Sequence, residues 1–559
     1  MEKYYSELNK KLKKISSLDE FSRLKNELLK KYKLKSQPSY IQILTNVNPS
    51  LFKRLKFLQT KPTRTISGVA PIAIMTPPHK CPHGKCIYCP GGIDSIFGSV
   101  PQSYTGHEPA SMRAKRNLYD PYLQVFNRLE QYALLNHNFD KVELIIMGGT
   151  FLSTPFNSQE NFIKYSFKAM NDFSRLFFNK DKFNFAKFKD FFELPADVHN
   201  EYRVASLQQK ILKLKQDSNL IKEHSRNEKS NVRCVTLALE TRPDTCKKQH
   251  INNALKYGST RMELGVQTLY NSILKRVNRG HTIEDVIEAT QLLKDSLFKV
   301  GFHVMPGLPY STKKLDIKMF KDLFSNQNLK PDALKIYPCM VMPGTKLHDM
   351  YKKKIFKPLS KDEAAEIIIE AKKYIPKYAR IMRIQRDIPT KMTAAGVDLT
   401  NFRQSLDIIL KKKGIKCNCI RCREPRNNNI SWDDVKLLSY NYQASNSTEI
   451  FISAEDTKND LLAGFCRLRI PYKPFRKEIT NNSAGIRELH VYGSAVAIGD
   501  KSNSIQHKGI GSSLLKEAER LANEEFDARK LLVISGIGAR PYFYKFDYKK
   551  DGPYMSKKI

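Results

Sequence analysis

Three cysteines stand within nine positions of the stretch HKCPHGKCIYCPGG (79–92): Cys81, Cys86 and Cys89. Thiolates this close, with no fourth following, suit three irons of a 4Fe-4S cluster whose last iron stays open to bind another molecule. Gly84, Gly91 and Gly92 let the backbone wrap such a group. A structural zinc, with His79 or His83 as fourth ligand, is the competing reading of the same residues. A second cluster, Cys417, Cys419 and Cys422 in KKKGIKCNCIRCREPR, has the spacing of a structural zinc site, with no evident fourth ligand. Around it stand Arg380, Arg383, Arg386, Arg403, Arg421 and Arg423, which make this segment the expected RNA surface because the guanidinium fork suits phosphate. Cys234, Cys246, Cys339 and Cys466 are scattered and read as small buried residues rather than disulfide partners.

Such groups need a scaffold. From about 65 to 345, six short apolar runs alternate with helix-length segments: VAPIAIM (69–75), VELIIMGG (142–149), CVTLALE (234–240), MELGVQT (262–268), VGFHVMPG (300–307) and ALKIYP (333–338). Repeated βα units of this kind predict an α/β fold with a parallel sheet closed, or partly closed, into a barrel. Reactive groups then belong just beyond the strands' C-terminal ends, and the first cysteine loop follows the first strand. The barrel is expected over 62–359, interrupted at 156–231 by an insertion rich in Phe, Lys and Asn, whose aromatic rings suit either packing or RNA stacking.

Residues 1–61 combine a Lys/Arg excess with Leu8, Leu12, Ile15, Leu24 and Leu28 at helical spacing, which predicts a basic helical region for gripping phosphates or capping the barrel. Residues 360–450 read as a basic helical linker carrying the zinc site. Residues 451–559 change character again: strands LLAGFCRLRI and RELHVYGSAVAI, the turn QHKGIG (506–511), a helix over 511–526 and the strand LLVIS form a separate α/β module. Leu514, Leu515, Ala518, Leu521 and Ala522 give that helix an apolar stripe, and the free N–H groups at its start can cradle a pyrophosphate.

The chain has 95 Lys and Arg against 56 Asp and Glu, a net charge of +39. So large an excess points to a polyanionic partner, most simply nucleic acid, although Lys352–Lys354 and Lys411–Lys413 also fit a compositional bias toward lysine. No run approaches the roughly 18 apolar residues of a membrane span, and MEKYYSELNKKLKK has no apolar stretch of signal-peptide type. A cytoplasmic location with no membrane partner is the expectation.

A three-cysteine loop after the first strand of a βα barrel resembles the radical S-adenosylmethionine superfamily, although four residues rather than the usual three separate the first two cysteines. The motifs RTISGVAPIAIM, CPHGKCIYCPGG, QSYTGHEPASMRAKRNLYDPYLQ, DKVELIIMGGTFLSTP, LETRPD, ELGVQT, GHTIEDV, HVMPGLP, KIYPCMVMPGT, RIQRDIPT and ELHVYG are more specific. In this order they resemble the catalytic subunit of the Elongator complex, in the short-spacer form found in archaea, which acts without the other Elongator subunits. The C-terminal module resembles a GNAT acetyltransferase. The resemblance implies a tRNA carboxymethyluridine synthase using S-adenosylmethionine and acetyl-CoA at the wobble uridine of the anticodon loop. It implies that Cys81, Cys86 and Cys89 bind the cluster and that Gly148 and Gly149 approach S-adenosylmethionine. For acetyl-CoA it implies Glu488, Leu489, His490 and Val491 along the pantetheine arm, Gly509, Ile510 and Gly511 at the pyrophosphate, Tyr542 beside the thioester and Lys141 as a contact from the barrel, with Tyr542 and Lys141 as the catalytic residues. Two positions depart from the family pattern: Phe543 replaces its second tyrosine and Asp547 a later glycine. A protein lysine acetyltransferase with a structural Fe-S barrel, and a non-catalytic RNA-binding acetyl-CoA sensor, are the alternatives. Oligomeric state stays open, a homodimer included.

Overall fold

The computed structural model describes residues 1–197, 200–399, 401–426, 428–492 and 509–559. The chain builds β1 (Ala70–Met75) and β2 (Lys141–Met147). A two-stranded hairpin inside the insertion follows, β3 (Phe178–Asn179) with β4 (Lys182–Phe183), and then β5 (Arg233–Thr241), β6 (Arg261–Gln267), β7 (Lys299–Val304), β8 (Ala333–Ile336) and β9 (Arg380–Ile384). Apart from the hairpin, these form one seven-stranded sheet in the order β1-β2-β5-β6-β7-β8-β9, and every pair in it is parallel. Sequence order equals spatial order, as repeated βα crossovers require, and β1 and β9 remain as the two edges, so the barrel is a partial one. Outward apolar residues such as Val142, Leu144 and Ile146 are fully buried under the helices.

The seventh strand was not expected. RIMRI lies inside the segment read as linker, and its two arginines hide the apolar alternation that marks the other six. The second module likewise starts before 451. Its sheet runs β10 (Val435–Ala444), β11 (Ser447–Asp456), β12 (Leu461–Arg469), β13 (Ser483–Val491), β14 (Lys530–Val533), β16 (Tyr554–Lys558) and β15 (Lys549–Asp551). β10 is an edge strand with most positions exposed, although Leu438, Tyr440, Tyr442 and Ala444 alternate along it. The helix Ile510–Glu524 crosses over between the parallel strands β13 and β14 and buries Leu514, Leu515, Ala518, Leu521 and Ala522, the predicted stripe.

The insertion opens with a 22-residue helix, Phe156–Phe177. Its phenylalanines settle into packing: Phe162, Phe167, Phe173, Phe177, Phe185, Phe188 and Phe192 are buried, while Phe156 is 39% exposed. The N-terminal helices Glu2–Leu12, Leu18–Lys31 and Tyr40–Asn46 close their own core through Tyr4, Leu8, Leu12, Phe21, Leu24, Leu28 and Ile43. Phe52 then stacks on Phe185 of the insertion with ring centres 3.8 Å apart. The basic N-terminal region thus rests on the insertion and also on the barrel, where Asn136 Nδ2 donates to the Leu55 carbonyl at 2.7 Å.

The two sheets meet at the N-terminal ends of the barrel strands through buried ion pairs. Arg487 binds Asp332 and Glu449, each at 2.6 Å. Arg469 binds Asp295 at 2.6 Å and Glu449 at 3.0 Å. The backbones also approach closely: a Cβ on Gly536 would stand 2.1 Å from the carbonyl oxygen of Val235. Among the described residues, no helix is long and apolar enough to cross a membrane.

Candidate active site

Cys81, Cys86 and Cys89 lie on the loop after β1 and open into a cavity of about 520 Å3 at the C-terminal ends of the barrel strands. Cys86 and Cys89 are each 6% exposed. The amide of Ser103 donates to the Cys89 sulfur at 3.3 Å, Arg279 Nη1 to the Cys86 sulfur at 3.9 Å, and Thr150 Oγ1 stands 3.6 Å from the Cys81 sulfur. These are donors suited to thiolates, and Arg279 with Arg242 supplies the positive charge a thiolate-rich site needs. With no metal, burial pushes the Cys89 thiol up to about 11 and also raises Cys81. At pH 7 Cys89 is therefore a neutral thiol that loses its proton on ligating a metal. Burial, then Arg242 and Arg279, lowers His83 to about 4, which keeps its ring neutral beside the Cys86 sulfur, 3.3 Å away.

The same cavity fits a polar ligand beside the cysteines. Gln267, at the end of β6, adopts φ 71°, and its Oε1 is buried with no hydrogen-bond partner among the described residues. A strained backbone at a cavity wall is the kind of feature that clusters at functional sites. Gly149 (φ 86°) also lines this space, and a Cβ there would stand 3.2 Å from the carbonyl of Gln102. Gly148 is different: it does not line the cavity, and a Cβ on it would strike Thr76 Oγ1 at 2.1 Å. Its smallness serves packing of β2 against β1.

Below the cysteines the barrel interior is ionic. Glu263 receives His303 Nε2 at 2.8 Å and Lys335 at 3.6 Å and pairs with Arg261. Glu240 takes Lys335 at 3.3 Å and the Tyr104 hydroxyl at 2.9 Å. Against the cost of burial, Arg261, Lys335 and His303 hold Glu263 well below the usual carboxylate range. None of these residues was singled out from the sequence. For Arg261 and Glu263 the one signal was the alternation Arg261, Glu263, Gly265, Gln267 along β6, which puts the four on one face.

Of the expected RNA-facing arginines, Arg383, Arg386 and Arg421 converge on the cavity mouth beside Tyr104 and Tyr337, with Arg386 5.6 Å from the Tyr104 ring centre. The other three do not. Arg423 is 1% exposed and paired with Glu455 and Asp460, so it cannot reach a phosphate. Arg380 is held by Glu424 and the Tyr492 hydroxyl, and Arg403 donates to the Ile381 carbonyl at 3.2 Å. These three tie the linker to β9 and the second sheet.

Cys417, Cys419 and Cys422 bring their sulfurs within 4.8 Å of one another, a compact arrangement suited to one ion. Among the described residues this is the only trio of ligating groups drawn so close, and no fourth ligand joins it. The wider first trio accords with a polynuclear group. The four scattered cysteines are all buried, as expected.

The second sheet frames another cavity, of about 210 Å3, at the seam. The parallel ladder of β13 with β14 stops at Ile486↔Val533, so the edge of β13 from Arg487 to Val491 faces a gap instead of a strand. Glu488, Leu489 and His490 line that gap with Ile534, Ser535 and Gly536. His490 Nε2 is buried without a partner among the described residues, and burial lowers the ring to about 4, so it is a neutral imidazole at pH 7. Gly509 (φ 75°) starts the helix Ile510–Glu524, and a Cβ on Gly511 would stand 2.7 Å from the Tyr542 hydroxyl. Burial pushes Tyr542 up to about 12, which keeps it protonated. Gln506, His507 and Lys508 of the glycine turn fall outside the described residues. Lys141 opens β2 opposite Arg233, at the barrel end nearest the seam, but does not line the cavity.

Residues 1–66 match the model of the ELP3 N-terminal domain, 200–322 that of the Radical SAM superfamily, and 331–412 that of the Radical_SAM C-terminal domain. The chain is 46% identical to the tRNA uridine(34) acetyltransferase of Methanocaldococcus infernus, over 98% of this chain and 97% of that protein. It is 40% identical to Elongator complex protein 3 of Saccharomyces cerevisiae, over 95% of this chain and 90% of that protein. The solved structure of archaeal Methanocaldococcus infernus Elp3 with an N-terminal deletion (1–46) aligns with a TM-score of 0.72 at 42% identity, covering 89% of this chain and 100% of that one.

Proposed function

Because this chain belongs to the family of tRNA uridine(34) acetyltransferases and Elongator complex protein 3, we propose that it installs a carboxymethyl group on carbon 5 of the wobble uridine of tRNA, drawing its two carbons from acetyl-CoA. The observation that carries this reading is the convergence of Cys81, Cys86, Cys89, Arg383, Arg386 and Arg421 on one cavity, with a second cavity behind it lined by Glu488, Leu489 and His490.

Cys81, Cys86 and Cys89 would hold a 4Fe-4S cluster, and Gly149 and Gln267 would receive S-adenosylmethionine beside it. When bound, this pair supplies a carbon radical able to take hydrogen from an unactivated methyl group. The chain's own residues do the rest. Arg383, Arg386 and Arg421 grip anticodon-loop phosphates, and the unpaired base turns in between Tyr104 and Tyr337 at modest unstacking cost. The open β13 edge from Glu488 to Val491 offers peptide groups to the pantetheine arm, and the helix start at Gly509, Ile510 and Gly511 receives the pyrophosphate. Tyr542, protonated at pH 7, would donate to the departing thiolate when the thioester is hydrolysed.

The C-terminal module, here 435–559 rather than 451–559, is accordingly read as a GNAT-type acetyl-CoA domain. Residues 62–384, insertion included, are read as the radical barrel, and 1–61 as a tRNA grip. Cys417, Cys419 and Cys422 are read as a structural zinc site stiffening the connector, and the enzyme acts in the cytoplasm. Nucleoside mass spectrometry of tRNA from cells lacking this protein tests the reading: wobble carboxymethyluridine and its derivatives should disappear, and an unchanged nucleoside profile would refute it.

A further inference from the structure

The four residues between Cys81 and Cys86 form an outer skin on the cysteine loop. Pro82, Gly84 and Lys85 are exposed, and a Cβ on Gly84 (φ 85°) would meet nothing within 4 Å. His83, in the same turn, holds its Nε2 3.3 Å from the Cys86 sulfur. A single turn of chain therefore separates solvent from the sulfur. Pro82, His83, Gly84 and Lys85 do not line the cysteine cavity, so this is a second face of the loop, distinct from the mouth where Arg383, Arg386 and Arg421 stand.

Two neighbouring segments extend that face. Asn278 Nδ2 donates to the Lys85 carbonyl at 2.9 Å, the Ile87 amide donates to the Val277 carbonyl at 3.1 Å, and a Cβ on Gly280 would stand 2.4 Å from His83 Cβ. The Leu347 amide donates to the Ile87 carbonyl at 2.9 Å, which seats the helix Lys346–Lys352 beside the loop. Ile273, Val277, Leu347 and Met350 pack with Cys86 and Cys89 in one apolar cluster beneath. Charge on these segments is one-sided. Residues 79–92, 271–280 and 346–354 present Lys80, Lys85, Lys275, Arg276, Lys346 and the run Lys352–Lys354, all exposed, against the single carboxylate of Asp349. Beyond them, Asp244 is paired with Arg242 at 2.8 Å and Glu284 accepts from Asn271 at 3.0 Å. Apolar area stands among the cations: Tyr310, 49% exposed, lies under Arg276 at 4.9 Å, and Tyr351 and Ile355 are exposed as well.

A small apolar area ringed by lysines suits a brief, electrostatically steered protein contact, and electron-transfer encounters are of this small kind. Making a carbon radical from a closed-shell sulfonium takes in one electron, which has to reach the cluster from outside. We infer that this face receives an acidic one-electron carrier protein, which docks over the Cys81–Cys86 turn and passes its electron through it. This rests on the cluster reading given above. The transfer balances as one electron: the carrier is oxidised by one, the cluster is reduced by one, and no bond or proton moves. RNA suits the face less, because it does not open into the cavity that takes the base and because lysine point charges outnumber arginine forks on it. RNA and carrier thus approach the cysteine loop by different faces.

The test uses the cluster-loaded full chain, with plant-type 2Fe-2S ferredoxin, an acidic carrier, as the probe. Calorimetry should find a complex whose affinity falls as salt rises, and stopped-flow absorbance should show photoreduced ferredoxin reducing the cluster. Lys275→Glu with Arg276→Glu and, independently, Lys346→Glu with Lys353→Glu should each slow that reduction roughly tenfold at low salt. The extent of reduction by excess dithionite and the affinity for tRNA should stay as in the unaltered protein. Lys213→Glu with Lys222→Glu, an equal change of net charge at exposed positions of the insertion, should leave the rate as it was. An unaltered protein that neither binds ferredoxin nor takes its electron overturns the dock. So does an equal loss of rate in the insertion pair, and so does weakened tRNA binding in the two dock pairs, which would make the face an RNA surface. A chain that holds no iron-sulfur cluster after reconstitution sinks the cluster reading itself, and the dock with it.

Discussion

Arg487 and Asp332 face each other across the seam, the two guanidinium nitrogens meeting the carboxylate at 2.6 and 2.9 Å with neither side chain exposed. Asp332 also lies 3.5 Å from Arg467, so one carboxylate of the first sheet neutralises two arginines of the second. Asp332→Asn should therefore lower unfolding stability by about 3–5 kcal/mol, because it strands buried cations. Adding Arg487→Met should recover part of the loss. Denaturant unfolding measures both, and a single variant as stable as the parent would show that the seam does not depend on this pair.

Two buried histidines set an acid limit on the fold. His281 is 4% exposed, and burial followed by Arg279 lowers it to about 2. His137, also 4% exposed, is lowered by burial to about 4 and holds Gln59 and Thr65 at 2.8 and 2.9 Å. Their folded pKa values lie below the unfolded value of roughly 6.5, so their contribution is complete above pH 6.5 and is lost as the pH falls. Each should cost about 2 kcal/mol by pH 5. Thermal melts from pH 7 to 5 should show a steep drop, and His137→Gln should flatten it; equal slopes would contradict the assignment.

The two cysteine trios should separate by metal. Cys86→Ser or Cys89→Ser should lose iron and the cluster's visible absorption while keeping zinc, and Cys419→Ser should do the reverse and lower the melting temperature. Elemental analysis decides, and loss of zinc from the Cys89 variant alone would exchange the two assignments.

The arginines divide by what they touch. Arg386→Ala and Arg383→Ala should weaken tRNA binding and each reduce the salt dependence of affinity by about one unit of log–log slope, with folding intact. Arg423→Ala should instead destabilise the fold, since it removes the guanidinium beside buried Glu455 and leaves that carboxylate only Lys377, at 3.5 Å, as a charge partner. Normal stability with weakened tRNA binding in the Arg423 variant would contradict its interior placement.

Six barrel strands, the cysteine loop, the glycine helix start and the apolar stripe of the last helix were legible because each rests on local pattern. RIMRI was missed because its arginines interrupt the apolar pattern, whereas VKLLSYNYQA alternates from Leu438 to Ala444 and was passed over inside a segment read as helical linker. Arg423 and Arg383 differ only in tertiary surroundings, one paired under the second sheet and the other at a cavity mouth, and spacing says nothing about that. The same holds for Arg261 and Glu143, 118 positions apart and brought to 2.6 Å only by the closing of the sheet.

The central claim is that acetyl carbons become the carboxymethyl group of a wobble uridine. Its most direct test incubates the cluster-loaded protein with tRNA, S-adenosylmethionine, a reductant and acetyl-CoA carrying a fully deuterated methyl group, and reads nucleosides and deoxyadenosine by mass spectrometry. The account predicts carboxymethyluridine that retains all but one of the methyl deuteriums, with the missing one in deoxyadenosine. Deoxyadenosine free of deuterium, with tRNA left unmodified by a protein that still cleaves S-adenosylmethionine, would contradict it.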